Sequence, residues 1–126
     1  MANKLVLVIE DERPNARLLS LLVERCGVGA AIAHDGKEGL EMIRAHRPDL
    51  VLLDMVMPIM RGEELLSILR ADPELRQVPV IIISTLENLG TGEASELPHL
   101  RKPFDPLEVM RMIRQALNLE DKPASA

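Results

Sequence analysis

Short apolar runs alternate along this chain with stretches whose apolar residues recur every three or four positions. That alternation restricts the fold more than any other feature. The runs Leu5 to Ile9, Leu50 to Leu53 and Val80 to Ile83 have the length of strands and are too short to make buried helices. Strands separated by amphipathic helices form βα units, and βα units build a parallel sheet covered on both faces. A parallel sheet buried on both sides explains why these runs are continuously apolar instead of alternating.

The chain is consumed by five such units. Strand 1 is expected at about residues 4–10 and helix 1 at 14–26. Pro14 sits in the first turn of that helix, and Ala16, Leu19, Leu22, Val23 and Cys26 share one face. Strand 2 is expected at 29–33. Helix 2 opens after Asp35-Gly36, turns Leu40 and Ile43 inward and stops before Pro48. Strand 3 is expected at 50–54. Helix 3 begins near Gly62, with Leu65, Ile68 and Leu69 inward, and ends at Asp72-Pro73. Strand 4 is expected at 79–84. Beyond it Gly90, Thr91 and Gly92 oppose a long helix, so a short helix or an ordered loop is expected before a weak strand 5 at 97–101. Helix 5, at about 105–118, carries Val109, Ile113, Ala116 and Leu117 on one face. Residues 1–119 are expected to form one domain, and 120–126 a flexible tail.

Composition narrows the function. Hydrophobic residues make up 47% of the 126, yet aromatics only 1%, and Phe104 is the only aromatic ring. A flavin pocket or a base-stacking surface for single-stranded nucleic acid needs more rings than that. The net charge of −5, with no basic stripe, argues against nucleic-acid binding. One cysteine, Cys26, forms no internal disulfide and suits a reducing compartment; on an apolar helical face it reads as a small core residue. The first apolar run is short and is followed by acids, so neither a membrane span nor a signal peptide is expected, and a cytoplasmic location is. His34 and His46 read as surface positions. Met42, Met57, Met60, Met110 and Met112 read as core or rim filler.

Parallel strands bring their carboxyl ends to one edge, where open α/β sheets bind ligands. There the sequence places Glu10-Asp11-Glu12, Asp54, Ser84-Thr85 and Lys102. Two carboxylates about 4 Å apart repel by roughly 4 kcal/mol at an effective dielectric near 20. A cluster of acids therefore holds a proton or a cation. Carboxylates that leave room for water suit Mg²⁺. Lys102 offers a positive charge and Ser84 a hydroxyl to phosphate oxygens, and Asp54 is a candidate carboxylate nucleophile. The plainer readings are an N-cap role for Glu10 or Asp11, a turn role for Asp54, an ordinary strand-end hydroxyl for Ser84 and a solvated lysine for Lys102.

The segments Val8-Ile9-Glu10-Asp11-Glu12, Asp54-Met55-Val56-Met57-Pro58 with Gly62, Pro79 through Ser84, and Lys102-Pro103-Phe104 come in an order that resembles the response-regulator receiver domain of two-component signalling. Asp35-Gly36-Lys37-Glu38-Gly39-Leu40 also resembles the start of that family's second helix. The resemblance runs from about residue 3 to residue 119. It implies a flavodoxin-like, doubly wound five-stranded parallel sheet of order 2-1-3-4-5. It further implies that Asp54 is the phosphoacceptor. Glu10, Asp11 and Asp54, with the backbone carbonyl of Val56, would hold Mg²⁺. Ser84 would be the switch hydroxyl, Lys102 would bind phosphate, and the Lys102–Pro103 bond would be cis. The phosphoryl donor would be a sensor histidine kinase or a phosphotransfer protein. With no effector domain in the sequence, output is expected through a downstream protein contact or an onward phosphorelay.

Three departures from the family pattern carry expectations of their own. His99 stands where the family places a Tyr or Phe that turns inward as the hydroxyl moves; a histidine there either makes that motion with pH-dependent energetics or breaks the coupling, and its plainer reading is a half-buried packing residue. The span from Ser84 to Lys102 is short, so a turn of helix 4 is expected to be missing or unwound. Val56 and Leu86, both apolar, cannot orient an attacking water, and Thr85 narrows access, so slow loss of phosphate is expected. A non-switching interaction module of the same fold is the alternative reading, and a homodimer is an arrangement the sequence leaves open. An aspartyl phosphatase would need a general acid where Val56 stands. The protein is therefore read as a phosphoacceptor switch, an enzyme only toward its own phosphorylation and slow dephosphorylation.

Overall fold

A computed structural model describes residues 3–85 and 92–119. The strands are β1 (Leu5–Ile9), β2 (Gly29–Ala33), β3 (Leu50–Asp54), β4 (Val80–Ser84) and β5 (His99–Arg101), and the helices α1 (Arg13–Arg25), α2 (Gly36–His46), α3 (Gly62–Ala71), α4 (Glu93–Glu96) and α5 (Pro106–Ala116). The strands form one sheet in the order β2-β1-β3-β4-β5 with every pairing parallel. This is the flavodoxin-like order expected from the sequence. Strand order reverses on either side of β1, so the chain leaves β1 and β3 at a topological switch point.

The alternation of side chains along each strand splits the core in two. Leu7, Ile9, Val51, Leu53 and Ile82 face α2 and α3, where Leu40, Ile43, Leu65 and Leu69 meet them. Val6, Val8, Leu50, Leu52, Ile81 and Ile83 face α1 and α5 and pack on Leu19, Val23, Val109 and Ile113. Both faces of β3 and β4 are covered, which is why their sequences carry no polar alternation.

Helix boundaries follow local chemistry. Asp35 caps α2, its side chain accepting from Glu38 N at 2.8 Å, and Glu38 Oε1 reaches back to accept from His34 N at 2.7 Å. This reciprocal arrangement satisfies two backbone donors at the helix start. Asp105 caps α5 through Leu107 N at 3.1 Å, with Pro106 in the first turn. Glu12, rather than Glu10 or Asp11, occupies the N-cap of α1 and makes no side-chain cap bond, so the acids of the β1 end are not helix caps. α3 starts hard against the end of β3: a Cβ on Gly62 would lie 2.5 Å from the Asp54 carbonyl oxygen and 2.9 Å from Met55 Cα. Only glycine permits that approach.

Two expectations need correction. Strand 5 covers His99–Arg101, not 97–101, because Pro98 has no N–H to extend the ladder, although its carbonyl accepts from Ile82 N at 2.8 Å. His34 is half-buried, and its Nδ1 is fully covered. The residues expected to unwind around helix 4 lie partly outside the described residues; among those described, α4 is the single turn Glu93–Glu96. Leu86 and the tail 120–126 also lie outside them.

Candidate functional site

The register Ile9↔Leu53 sets the ends of β1 and β3 side by side. Glu10 and Asp54 leave those ends almost fully buried, at 0% and 3% exposure. Glu10, Asp11 and Asp54 each turn a carboxylate oxygen to a common point, all within 4.8 Å of one another. Local geometry fixes two of them: Glu10 Oε1 accepts from Glu12 N at 3.2 Å, and Asp54 Oδ1 accepts from Val56 N at 3.2 Å. Glu10 Oε2 is buried, and the ammonium of Lys102 lies 3.3 Å from it.

Burial is the main force on Glu10. With a hydrogen bond to Asp54 and the charge of Asp54, it pushes the Glu10 carboxyl up to about 8, against the opposing pull of Glu12 N–H and Lys102. The site is therefore short of positive charge, and near neutral pH Glu10 keeps a proton in compensation. A hard cation would supply that charge. Three carboxylates whose oxygens lie within 4.8 Å of one another, one of them on the buried Glu10, fit Mg²⁺ chemistry.

Lys102 enters from the loop after β5, where the Lys102–Pro103 bond is cis. Its Nζ lies 3.2 Å from Glu12 Oε1, 3.3 Å from Glu10 Oε2 and 3.4 Å from Asp54 Oδ2. Burial alone would lower its pKa, but the charges of Asp54 and Glu10 and the bonds to Glu12 and Glu10 outweigh burial and hold the ammonium above its usual range. Lys102, Asp54, Ser84, Thr85, Val56 and Ile83 line a cavity of about 210 Å³. The cavity thus joins a carboxylate, a hydroxyl and a cation in a space that opens at the sheet edge.

The structure brings together Glu10, Asp11, Asp54, Ser84 and Lys102 as the sequence led one to expect. Val56 is half exposed at the mouth. His99 is hydrogen-bonded rather than free: its Nδ1 lies 2.9 Å from Ser84 Oγ and its Nε2 3.0 Å from the Ala94 carbonyl. Two contributions escaped the sequence reading. Glu12 anchors Lys102, and the adjacent acids and lysine were the available signal. The Ala94 carbonyl, a backbone group, left no signal at all.

Residues 6–114 match the family model of the response regulator receiver domain. The DNA-binding response regulator MtrA of Mycolicibacterium smegmatis is 33% identical over 94% of this chain, which covers 53% of MtrA. The chain thus spans about half the length of such relatives. The polar-differentiation response regulator DivK of Brucella anthropi is 37% identical over 71% of this chain and 73% of its own. Among solved structures, the receiver domain of Francisella response regulator 1452 superposes with a TM-score of 0.80 at 33% identity, covering 92% of this chain and 98% of that one. The receiver domain of the sensor histidine kinase PA1611 of Pseudomonas aeruginosa, solved with a magnesium ion in its active-site cleft, gives a TM-score of 0.82 over 93% and 99% of the two chains; at 23% identity this likeness shows the fold alone.

Proposed function

This chain belongs to the response regulator receiver domain family, and on that premise we propose that Asp54 accepts a phosphoryl group from a sensor histidine kinase or a phosphotransfer protein. The observation that carries the proposal is the near-buried Asp54 carboxylate lining one cavity with Ser84 and Lys102, beside Glu10 and Asp11. An Asp54 oxygen forms the new O–P bond as the donor's bond to phosphorus breaks. Lys102 exchanges part of its contact with carboxylates for a phosphoryl oxygen, and the Ser84 hydroxyl donates to another. Glu10, Asp11, Asp54 and the Val56 carbonyl would hold Mg²⁺, whose charge offsets the repulsion between a carboxylate and a phosphoryl group. The signal then passes by protein contact or by onward transfer, in the cytoplasm.

The Val56 side chain presents no polar group that could orient a water against the phosphorus. The phosphorylated protein is therefore expected to lose its phosphate slowly, over minutes or longer; a half-life of seconds in Mg²⁺ buffer would contradict this. Intact mass after incubation with acetyl phosphate tests the proposal itself. One added phosphoryl group is expected in the native protein and none in Asp54→Asn. Unchanged phosphorylation of that variant removes Asp54 from the role. The stand-alone form expected from the sequence is tested by the size of the native protein on an immunoblot of cells, and a homodimer by sedimentation with and without beryllofluoride.

The alternative of a non-switching interaction module has one observation in its favour: Ser84 is already engaged by His99. Amide NMR with Mg²⁺ and beryllofluoride separates the two. Shifts at Asp54, Ser84 and Lys102 support the switch, and their complete absence supports the module.

A further inference from the structure

His99 joins two groups that a phenyl or phenol ring in its place could not join in the same way. Its Nε2 faces the Ala94 carbonyl at 3.0 Å, and a carbonyl only accepts, so Nε2 carries the proton. In the neutral ring Nδ1 is then an acceptor. The Ser84 hydroxyl, 2.9 Å away, must donate to it. The one hydroxyl proton of Ser84 is thereby committed to His99. Phosphoryl oxygens also only accept, so a phosphoryl group on Asp54 requires that same proton. Two acceptors compete for one donor.

We propose that His99 is a positioning residue, a hydrogen-bond latch that holds the Ser84 hydroxyl in the resting protein and hands its release to α4 through the Ala94 carbonyl. The inference rests on the phosphoacceptor reading of Asp54. When the Ser84 hydroxyl turns its hydrogen bond to the phosphoryl group, His99 Nδ1 is left half-buried without a donor, an arrangement folded proteins avoid. The ring relieves it by turning, and turning gives up Ala94. Ala94 is 1% exposed and is the buried residue of the one-turn α4, so its release loosens the contact of that helix with the core. The ring has somewhere to go. His99 lines an open cleft of about 370 Å³ between β5 and α5, which Asp105 and Glu108 also line. The readout is thus an exchange of hydrogen bonds, at the position where the family carries a Tyr or Phe that turns inward.

The test is a long-range proton–nitrogen spectrum of the His99 ring in the full protein with Mg²⁺, before and after beryllofluoride, together with amide shifts. The resting protein should show the proton on Nε2 and an accepting Nδ1. Beryllofluoride should change both ring nitrogens and move the amides of residues 93–96. His99→Phe removes the competing acceptor, so its beryllofluoride affinity should rise several-fold while the shifts at 93–96 shrink. Adding Ser84→Ala should cancel that gain. A merely structural role for His99 predicts weaker binding, not tighter. Shifts at Asp54 and Lys102 with an unchanged His99 ring, a resting proton on Nδ1, or a His99→Phe variant that binds as the native protein does would each overturn the latch. No shift at Asp54 or Lys102 in the native protein would instead overturn the phosphoacceptor reading, and the latch with it.

Discussion

Glu10 illustrates how one buried side chain sets the conditions under which the site works. Its folded pKa, about 8, lies above the ordinary value of 4.5. Between those values the metal-free folded protein holds a proton that the unfolded chain has lost. The Glu10 contribution to stability is therefore greatest below the lower value and falls as pH rises toward the upper one. A divalent ion must displace that proton. Apparent Mg²⁺ affinity is expected to rise with pH, by about tenfold per unit at most, and to level off above about 8. Calorimetric titrations on either side of that pH check this, and Glu10→Gln should flatten the slope while weakening binding. Ile59 is a second informative residue. It is β-branched, 75% exposed, and held at φ 71°, a conformation suited to glycine. Little packing is lost on its removal, so Ile59→Gly should stabilise the fold by about 1 kcal/mol in urea unfolding, the relief of strain exceeding the added chain entropy. Equal or lower stability would show that the loop after β3 is not strained by that side chain.

At the scale of elements, the helix starts separate what local sequence dictates from what the third dimension adds. The Asp35–Glu38 reciprocal cap at α2 is local, and Asp35→Ala should cost about 1 kcal/mol, measured as a lower urea midpoint with unchanged slope. The strand ends were legible in the sequence because a polar side chain closing a buried apolar run is a costly arrangement that a sheet edge accommodates. Glu10, Asp54 and Ser84 all stand out in this way. Helix 4 was legible only as a short helix or an ordered loop: Gly90 and Gly92 break the apolar periodicity, and the turn that forms at Glu93–Glu96 is held at Ala94 by a core supplied from elsewhere in the chain. The Ser84–His99 and Lys102–Glu12 contacts were equally hidden. Each joins residues 15 or 90 positions apart, and neither pairing has a periodicity to betray it. His34 was misread for a related reason, since a polar residue just past a strand looks solvated until its surroundings in the fold are known.

Across the whole molecule, acids gather at one end of the sheet. Glu10, Asp11, Glu12 and Asp54 face Lys102 at one end of the sheet, while the aliphatic layers on both faces carry the cohesion. Binding a divalent ion there should stabilise the entire domain. Mg²⁺ at about ten times its dissociation constant should add about 1.4 kcal/mol, read as a raised unfolding midpoint that an equal ionic strength of NaCl does not reproduce. The strand order has a further consequence, in time. β1 lies between β2 and β3, and its partner β3 begins at Leu50. On the ribosome, β2 reaches β1 first, and one edge of Leu5–Ile9 then stays unpaired until Asp54 has cleared the exit tunnel. Each newborn copy thus passes through an interval in which its most apolar strand is half-clothed. In that interval, rather than in the finished protein, this chain is most exposed to self-association and to capture by chaperones.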